Sequence, residues 1–539
     1  MMKKAIKKLL AALLAVAMVC AMAIPAFAFE SWETEEDLNK NHDYIAFQIF
    51  KGVISKDNPT LSDVDWGQHI PDDEDFLTQL KGADTIGTLF TKANSAQDVL
   101  KVISTWHDSD NDSIAFARFV CHYLYSKGDP KSSIVGGGGA IKIPEPGYYL
   151  IVDNIDFSNG DYYHAYNSFL LVNDTNQGEY NVIINHKVVK PTVEKKVYDN
   201  DNNDISSAGG WGSSADHAIN EKFQFQLIAK LPASKDNGRA YDYYDKYTVC
   251  FNDTLSAGIT FDNLDTVKIA NVDGDNSKEI TNYKFDDTDL HEAGHPTSFK
   301  LSIEDVKTCA AAAGLNLNDG ATITVTYTAH LNENAYVNTA GGPTDNNNSV
   351  FLQYSNNPIN TSVGQTPESK VCVYTYQLNN TKHQDTEKGP ALEGACFRLY
   401  SDEACTDQSE VQLYQKDGFY YPIKDVLGKE AVEMKSAANG TFNVKGLDAG
   451  TYYLKEITPP DGYSACKVIP VTIKADHSRN DQVNLEGSNL TNDIVNIKAG
   501  GITLPSTGGI GTTIFYVVGG GLMVAAIVLL VTKKRMENK

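Results

Sequence analysis

The sequence predicts a mainly β chain. Three β-sandwich domains stand in tandem, with a short helical insertion in the first, between an export signal and a membrane-spanning tail. Three observations lead to this. Short alternating runs recur, among them Tyr148–Asp153, Thr322–Leu331, Val350–Ser355 and Gly440–Leu447, and a period of two marks a half-buried strand. Tyr, Thr, Val and Asn are plentiful, and turns such as DG and NG separate the runs, as in strands joined by tight turns. Of the 539 residues, roughly 480 lie between the two terminal signals, enough for three domains.

The elements follow in order. Lys3, Lys4, Lys7 and Lys8 precede an apolar run, Leu9 to Ile24, and Ala26-Phe27-Ala28 is a small-x-small cleavage site. Residues 1–28 are therefore expected to be a secretory signal peptide. The first domain is placed at 29–187, with a helical patch at Ile114–Ser126. The second is placed at 188–365, opening at Lys190-Pro191, because proline disfavours helix before it. A second helical patch is expected near Ile303–Ala313. The polar stretch Asn356–Lys370 reads as a linker, and the third domain is placed at 366–500. The tail, 501–539, contains an uncharged stretch from Ile514 to Val531. As a helix it is about 27 Å long, enough to span a bilayer. Lys533, Lys534 and Arg535 follow at once and hold that end in the cytoplasm.

The formal net charge is −23. Cutting off the leader and the tail removes mostly lysine and arginine, so the exported part is more acidic still. Nucleic acid is excluded as a partner on that ground. Seven cysteines remain after the leader: Cys121, Cys250, Cys309, Cys372, Cys396, Cys405 and Cys466. An odd, scattered set is no disulfide framework; buried thiols are expected, with Cys396 to Cys405 or Cys466 the one pairing left open.

No cofactor and no metal site is expected. His291-Glu292-Ala293-Gly294-His295 has the H-E-x-x-H spacing of zinc proteases, which works only on a helix. Gly294 lies inside it and Pro296 follows directly, so a loop is expected. Asp108–Ser113 and Val272–Glu279 are acidic turns without the register of a calcium loop.

Leu504-Pro505-Ser506-Thr507-Gly508, the apolar span and the basic end together resemble the LPXTG sorting signal of Gram-positive surface proteins. The resemblance implies that a sortase, pilin-specific or housekeeping, cleaves between Thr507 and Gly508. The Thr507 carbonyl then passes to an amine. The stretch Ile184–Val197, INHKVVKPTVEKKV, is similar to the junction between the first two domains of sortase-assembled shaft pilins. Asn185-His186-Lys187 stands where those pilins have Tyr-Pro-Lys. This implies Lys187 as the lysine that receives the next subunit, with Lys190 as the alternative. His42–Gly67 also looks like the opening of shaft-pilin N-terminal domains.

Two self-crosslinking sets are implied by further resemblances. Asn379–Asp385, Tyr452–Tyr463 and Asp493–Gly501 resemble a Cna B-type domain. Position by position, Lys382 is the nucleophile, Asn496 the electrophile and Glu456 the catalytic acid. Burial disfavours both charges, lowering the lysine and raising the carboxyl, so that a neutral amine can attack an amide beside a protonated acid. Strand alternation agrees, placing Leu378 and Asn380 on one face with Lys382, and Leu454 with Glu456. The second domain resembles the fimbrial isopeptide-forming (Cna A-like) domain. There Lys195 is expected to join Asn356 with Asp253 as the acid; Lys196 and Asn348 are the alternatives. No such set is expected in the first domain.

The resulting expectation is a shaft pilin of three Ig-like domains, not an enzyme except for forming its own crosslinks. Its partners would be sortases, other copies of itself, accessory pilins and a host or bacterial surface receptor. An accessory pilin or a monomeric wall-anchored adhesin is the alternative.

Overall fold

A computed structural model describes residues 43–499, apart from 55–60, 107–109, 128–133, 138–139, 144, 146, 154–166, 173–179, 184–189, 201–209, 236–238, 292–294, 359–360, 426–427 and 480–481. The leader, Lys187, and the tail with Leu504, Pro505, Ser506, Thr507 and Gly508 lie outside the described residues. Among the described residues no helix is long and apolar enough to cross a membrane.

In the first domain the strand Asp43–Ile54 is central. It pairs with Leu61–Trp66 on one side and with Gly147–Asp153 on the other, and the latter pairs with Asn167–Val172. The helical insertion is larger than the sequence reading had it. Asp73–Lys81 and Ala96–Ile103 precede the expected helix, which runs from Asn111 to Ser126. Both carry legible start signals. Asp72 accepts a hydrogen bond from the Asp75 backbone N–H, and Ser95 does so from Asp98, each satisfying an amide that the first turn leaves unpaired. Phe76 and Leu80 then fall on the face that buries against Phe50, Trp66 and Val120.

The second domain is a sandwich. One sheet has the order Lys278–Glu279, Ile259–Ala270, Ala321–Leu331, Lys222–Leu231, Thr192–Tyr198, Trp211–Gly212. The facing sheet runs Ser214–Asp216, Ser369–Tyr374, Asn347–Ser355, Val249–Leu255, Thr297–Ile303, Lys284–Asp286. The core between them is aliphatic and aromatic, including Phe225, Leu227, Val325, Tyr327, Phe251 and Leu352. The stretch read as a linker is partly built into this sandwich. Val363–Gln365 pairs with Asn347–Ser355, and so does Ser369–Tyr374. The sandwich therefore extends past residue 365, because backbone pairing overrides polar composition.

The third domain packs a five-stranded sheet (Leu413–Lys416, Phe419–Pro422, Val444–Leu447, Tyr376–Gln384, Thr491–Asn496) on a four-stranded one (Met434–Lys435, Cys396–Tyr400, Gly450–Thr458, Ile469–Ile473). First and last strands lie side by side and parallel, Lys382 opposite Ile494. All seven cysteines among the described residues are free thiols, so no disulfide among them ties a domain together.

The second and third domains meet closely. Ile219 N–H donates to Gly446 O at 2.9 Å, and Asn220 Nδ2 to Pro422 O at 2.9 Å. Glu333 accepts from Tyr414 Oη at 2.6 Å and from Lys429 Nζ at 2.9 Å, and Lys416 contacts it too. Burial alone would raise the Glu333 carboxyl; these three donors outweigh it and hold it at about 2. Gly446 has φ +80°, and a Cβ there would come within 2.5 Å of the Ile219 side chain. Gly446→Ala is thus expected to cost roughly 1–3 kcal/mol. Limited proteolysis should then cut between these domains sooner than in the parent chain.

Candidate functional site

The third-domain site follows from strand alternation. Lys382 and Asn496 project from neighbouring parallel strands of one sheet, and Glu456 projects toward them from the facing sheet. Lys382 is 0 % exposed, Asn496 1 % and Glu456 7 %, so all three are withdrawn from bulk solvent. Lys382 Nζ donates to Asn496 Oδ1 at 2.6 Å. Asn496 Nδ2 donates to Glu456 Oε1 at 2.6 Å, and Glu456 Oε2 accepts the Cys466 backbone N–H at 2.7 Å. The Phe397 ring lies 5.6 Å from Nζ. Burial pushes the Lys382 amine below its ordinary value, against the opposing charge of Glu456.

This geometry suits one reaction. In it a neutral Nζ would attack Asn496 Cγ and form an N–C bond as the Cγ–Nδ2 bond breaks. One amine proton must travel to the departing nitrogen, which leaves as ammonia. Glu456 is hydrogen-bonded to that nitrogen and is placed to deliver the proton.

In the second domain Lys195 and Tyr327 come from one sheet, Asp253 and Asn348 from the other. Lys195 Nζ contacts Asp253 Oδ2 directly, and both side chains are fully buried. Tyr327 Oη ties the group together. It donates to Asp253 Oδ1 at 3.1 Å and accepts from Lys195 Nζ at 3.2 Å and Asn348 Nδ2 at 2.5 Å. Burial lowers the Lys195 amine to about 8, although Asp253 opposes the shift. Burial likewise raises the Asp253 carboxyl. The rings of Phe225 and Tyr327 each lie 5.4 Å from Nζ. Asn348 Oδ1 is buried without a hydrogen-bond partner, as is Asn356 Nδ2, each a cost in a packed core.

Here one residue of the sequence reading is corrected. Asn356 does not join Lys195 and Asp253; its Oδ1 accepts from Ser362 Oγ at 2.8 Å. It and Asn348 lie at opposite ends of the strand Asn347–Ser355, roughly 26 Å apart if fully extended. Alternation puts the two on one face and leaves the position along the strand open. Pairing of Leu255 with Asn348 and of Asp253 with Val350 sets that position. Lys196 points outward, 3.4 Å from Glu194, and Lys190 is exposed. Tyr327 was not singled out from the sequence. Its alternation with Ile323, Val325 and Ala329 marks a core face, and nothing local distinguishes it from a packing residue.

His291 ends a short 3-10 turn, Thr288–His291, and the strand Thr297–Ile303 starts just after His295. Neither histidine belongs to a cluster with metal-ligand spacing among the described residues. The turn at Val272–Glu279 is closed by Asn271 Oδ1 accepting from the Asp275 N–H at 2.7 Å.

Residues 378–488 match the family model described as the SpaA prealbumin-like fold domain, and residues 496–538 match the LPXTG cell wall anchor motif. The chain is therefore a secreted, cell-wall-anchored surface protein of mainly β domains. Its carboxy-terminal sandwich is of the prealbumin-like SpaA type. No curated protein sequence matches it significantly. Among solved structures it is similar to the T6 backbone pilin of serotype M6 Streptococcus pyogenes (15 % identity, 86 % of this chain and 97 % of that one, TM-score 0.44). It is also similar to the full-length major pilin SpaD from Corynebacterium diphtheriae (18 % identity, 69 % and 83 %, TM-score 0.39). A third is a 35 kDa C-terminal fragment of a Streptococcus agalactiae major pilin (21 % identity, 57 % and 99 %, TM-score 0.39).

Proposed function

We propose that the chain is the shaft subunit of a covalent surface pilus. A sortase joins Thr507 of one copy to Lys187 of the next, and Lys382–Asn496 and Lys195–Asn348 amide bonds lock the third and second domains from within. The observation that carries this reading is the dry contact of Lys382, Asn496 and Glu456. A lysine in ordinary surface service has no reason to be wholly buried against an amide and a carboxyl. In the third domain the bonded residues sit on the first and last strands, so a pull on the chain ends meets a covalent tie before it meets the sandwich.

Intact mass tests the internal bonds: the folded chain should weigh less than its sequence by about 17 Da for each ammonia lost. Polymerisation is tested on the cell surface. Wall extracts should show a ladder of high-mass species, and Lys187→Ala should collapse it to a single wall-linked monomer. A ladder that survives Lys187→Ala and vanishes in Lys190→Ala moves the junction to Lys190. A monomer in the parent strain favours the wall-anchored adhesin instead.

A further inference from the structure

Between the second and third domains lies a cluster that neither amide-forming site uses. Asp199 follows the strand Thr192–Tyr198, Asp216 ends the strand Ser214–Asp216, and His477 lies on the third-domain strand Asp476–Arg479, which pairs with Gln482–Asn484. Their exposures are 3 %, 1 % and 2 %. His477 Nε2 lies 3.3 Å from Asp199 Oδ2 and 3.6 Å from Asp216 Oδ1. Neither Asp216 oxygen makes a hydrogen bond of good geometry, and the Tyr376 hydroxyl lies beside that carboxylate.

The tautomer of His477 can be argued from its other nitrogen. Ser214 Oγ is 2.9 Å from His477 Nδ1 and donates its one proton to the His477 carbonyl at 2.9 Å. Oγ must then accept from Nδ1–H. In the neutral ring Nε2 therefore turns a lone pair on two carboxylates, and the positive species that belongs there is either the Nε2 proton, which burial opposes and Asp199 and Asp216 favour, or a metal ion. A charged hydrogen bond there would run to about 2.7–2.9 Å, shorter than the 3.3 and 3.6 Å between Nε2 and the two carboxylates. A tetrahedral ion with bonds of about 2.0–2.1 Å separates its ligand atoms by roughly 3.3 Å. A divalent ion would also neutralise both carboxylates, and Ser214 would serve as the outer partner that metal-bound histidines usually have.

We propose that Asp199, Asp216 and His477 bind a divalent transition-metal ion, zinc by size and donor set, which pins the third domain to the second. The proposal does not depend on the pilus reading. The ion would sit where load passes from one domain to the next, beside the strand that carries Lys195. Residues so far apart in sequence form no motif, which is why the pattern of single histidines and acids does not reveal it.

The test uses the full chain purified in detergent, stripped with EDTA and titrated with zinc chloride. The expected result is one zinc per chain and a rise of several degrees in the unfolding temperature of the second and third domains. Asp216→Asn and His477→Gln should each abolish uptake, and His291→Gln with His295→Gln should leave it intact. Absorption spectroscopy at the zinc edge of the parent protein should show only nitrogen and oxygen ligands, a readout that holds if a variant fails to fold. No uptake at micromolar free zinc, sulfur in the coordination shell, uptake unchanged in both site variants, or uptake lost with His291 and His295 would each overturn it.

Discussion

Glu456→Ala is expected to leave the third domain at its full sequence mass and to make it melt far earlier. Glu456 faces Asn496 Nδ2, the nitrogen that must leave. Without a group there to carry a proton to it, Nδ2 is a poor leaving group and the Lys382 amine cannot displace it. Lys382 and Asn496 are 114 residues apart in the chain. By analogy with a disulfide closing a loop of this size, losing the tie costs about 4–5 kcal/mol. For a domain of this length that lowers the melting temperature by roughly 15–25 °C. Glu456→Gln separates packing from chemistry: it keeps the shape and a hydrogen bond but cannot shuttle a proton, so it too should stay unbonded. A mass deficit that persists in both variants would sink the assignment of Glu456. Trypsin resistance gives a second readout, because the bonded domain can open only as a closed loop.

The second large effect separates two asparagines. Asn348→Ala should restore the mass of one ammonia, while Asn356→Ala should not; the reverse outcome would return the bond to Asn356. In Asn348→Ala, Lys195 and Asp253 still face each other, so the domain should fold as an unbonded form, weaker by about 4–5 kcal/mol. Asp253→Ala is harsher. It removes the bond and also strands Lys195 in the core without its counter-charge, and breaking a buried pair from one side costs about 3–5 kcal/mol more. That variant is expected to lose the second domain altogether, seen as proteolysis confined to it and a third domain that keeps its own mass deficit.

Much of this was legible before any coordinates. Lysine, glutamate and asparagine in the third domain lie on strands whose alternation is strong, and a period of two decides which side of a sheet a residue faces. Lys382, Glu456 and Asn496 could be named from that and from the resemblance. In the second domain the same rule separates Lys195 from Lys196 and puts Asn348 and Asn356 on one face. It cannot choose between those two, because alternation repeats every two residues and says nothing of register. The helices Asp73–Lys81 and Ala96–Ile103 were missed although Asp72 and Ser95 announce them; a short amphipathic turn in polar surroundings yields a weak period.

The sequence by itself determined what local periodicity and short contiguous motifs can carry: mainly β sandwiches, the sorting signal at Leu504–Gly508, and inward-facing lysines. Only the tertiary structure decided which asparagine reaches the Tyr327 hydroxyl beside Lys195, and that Asp199, Asp216 and His477 converge. These are distances between strands of facing sheets and of different domains. Cross-strand register and domain docking set them through the summed packing of many side chains, and no local stretch of sequence encodes that sum.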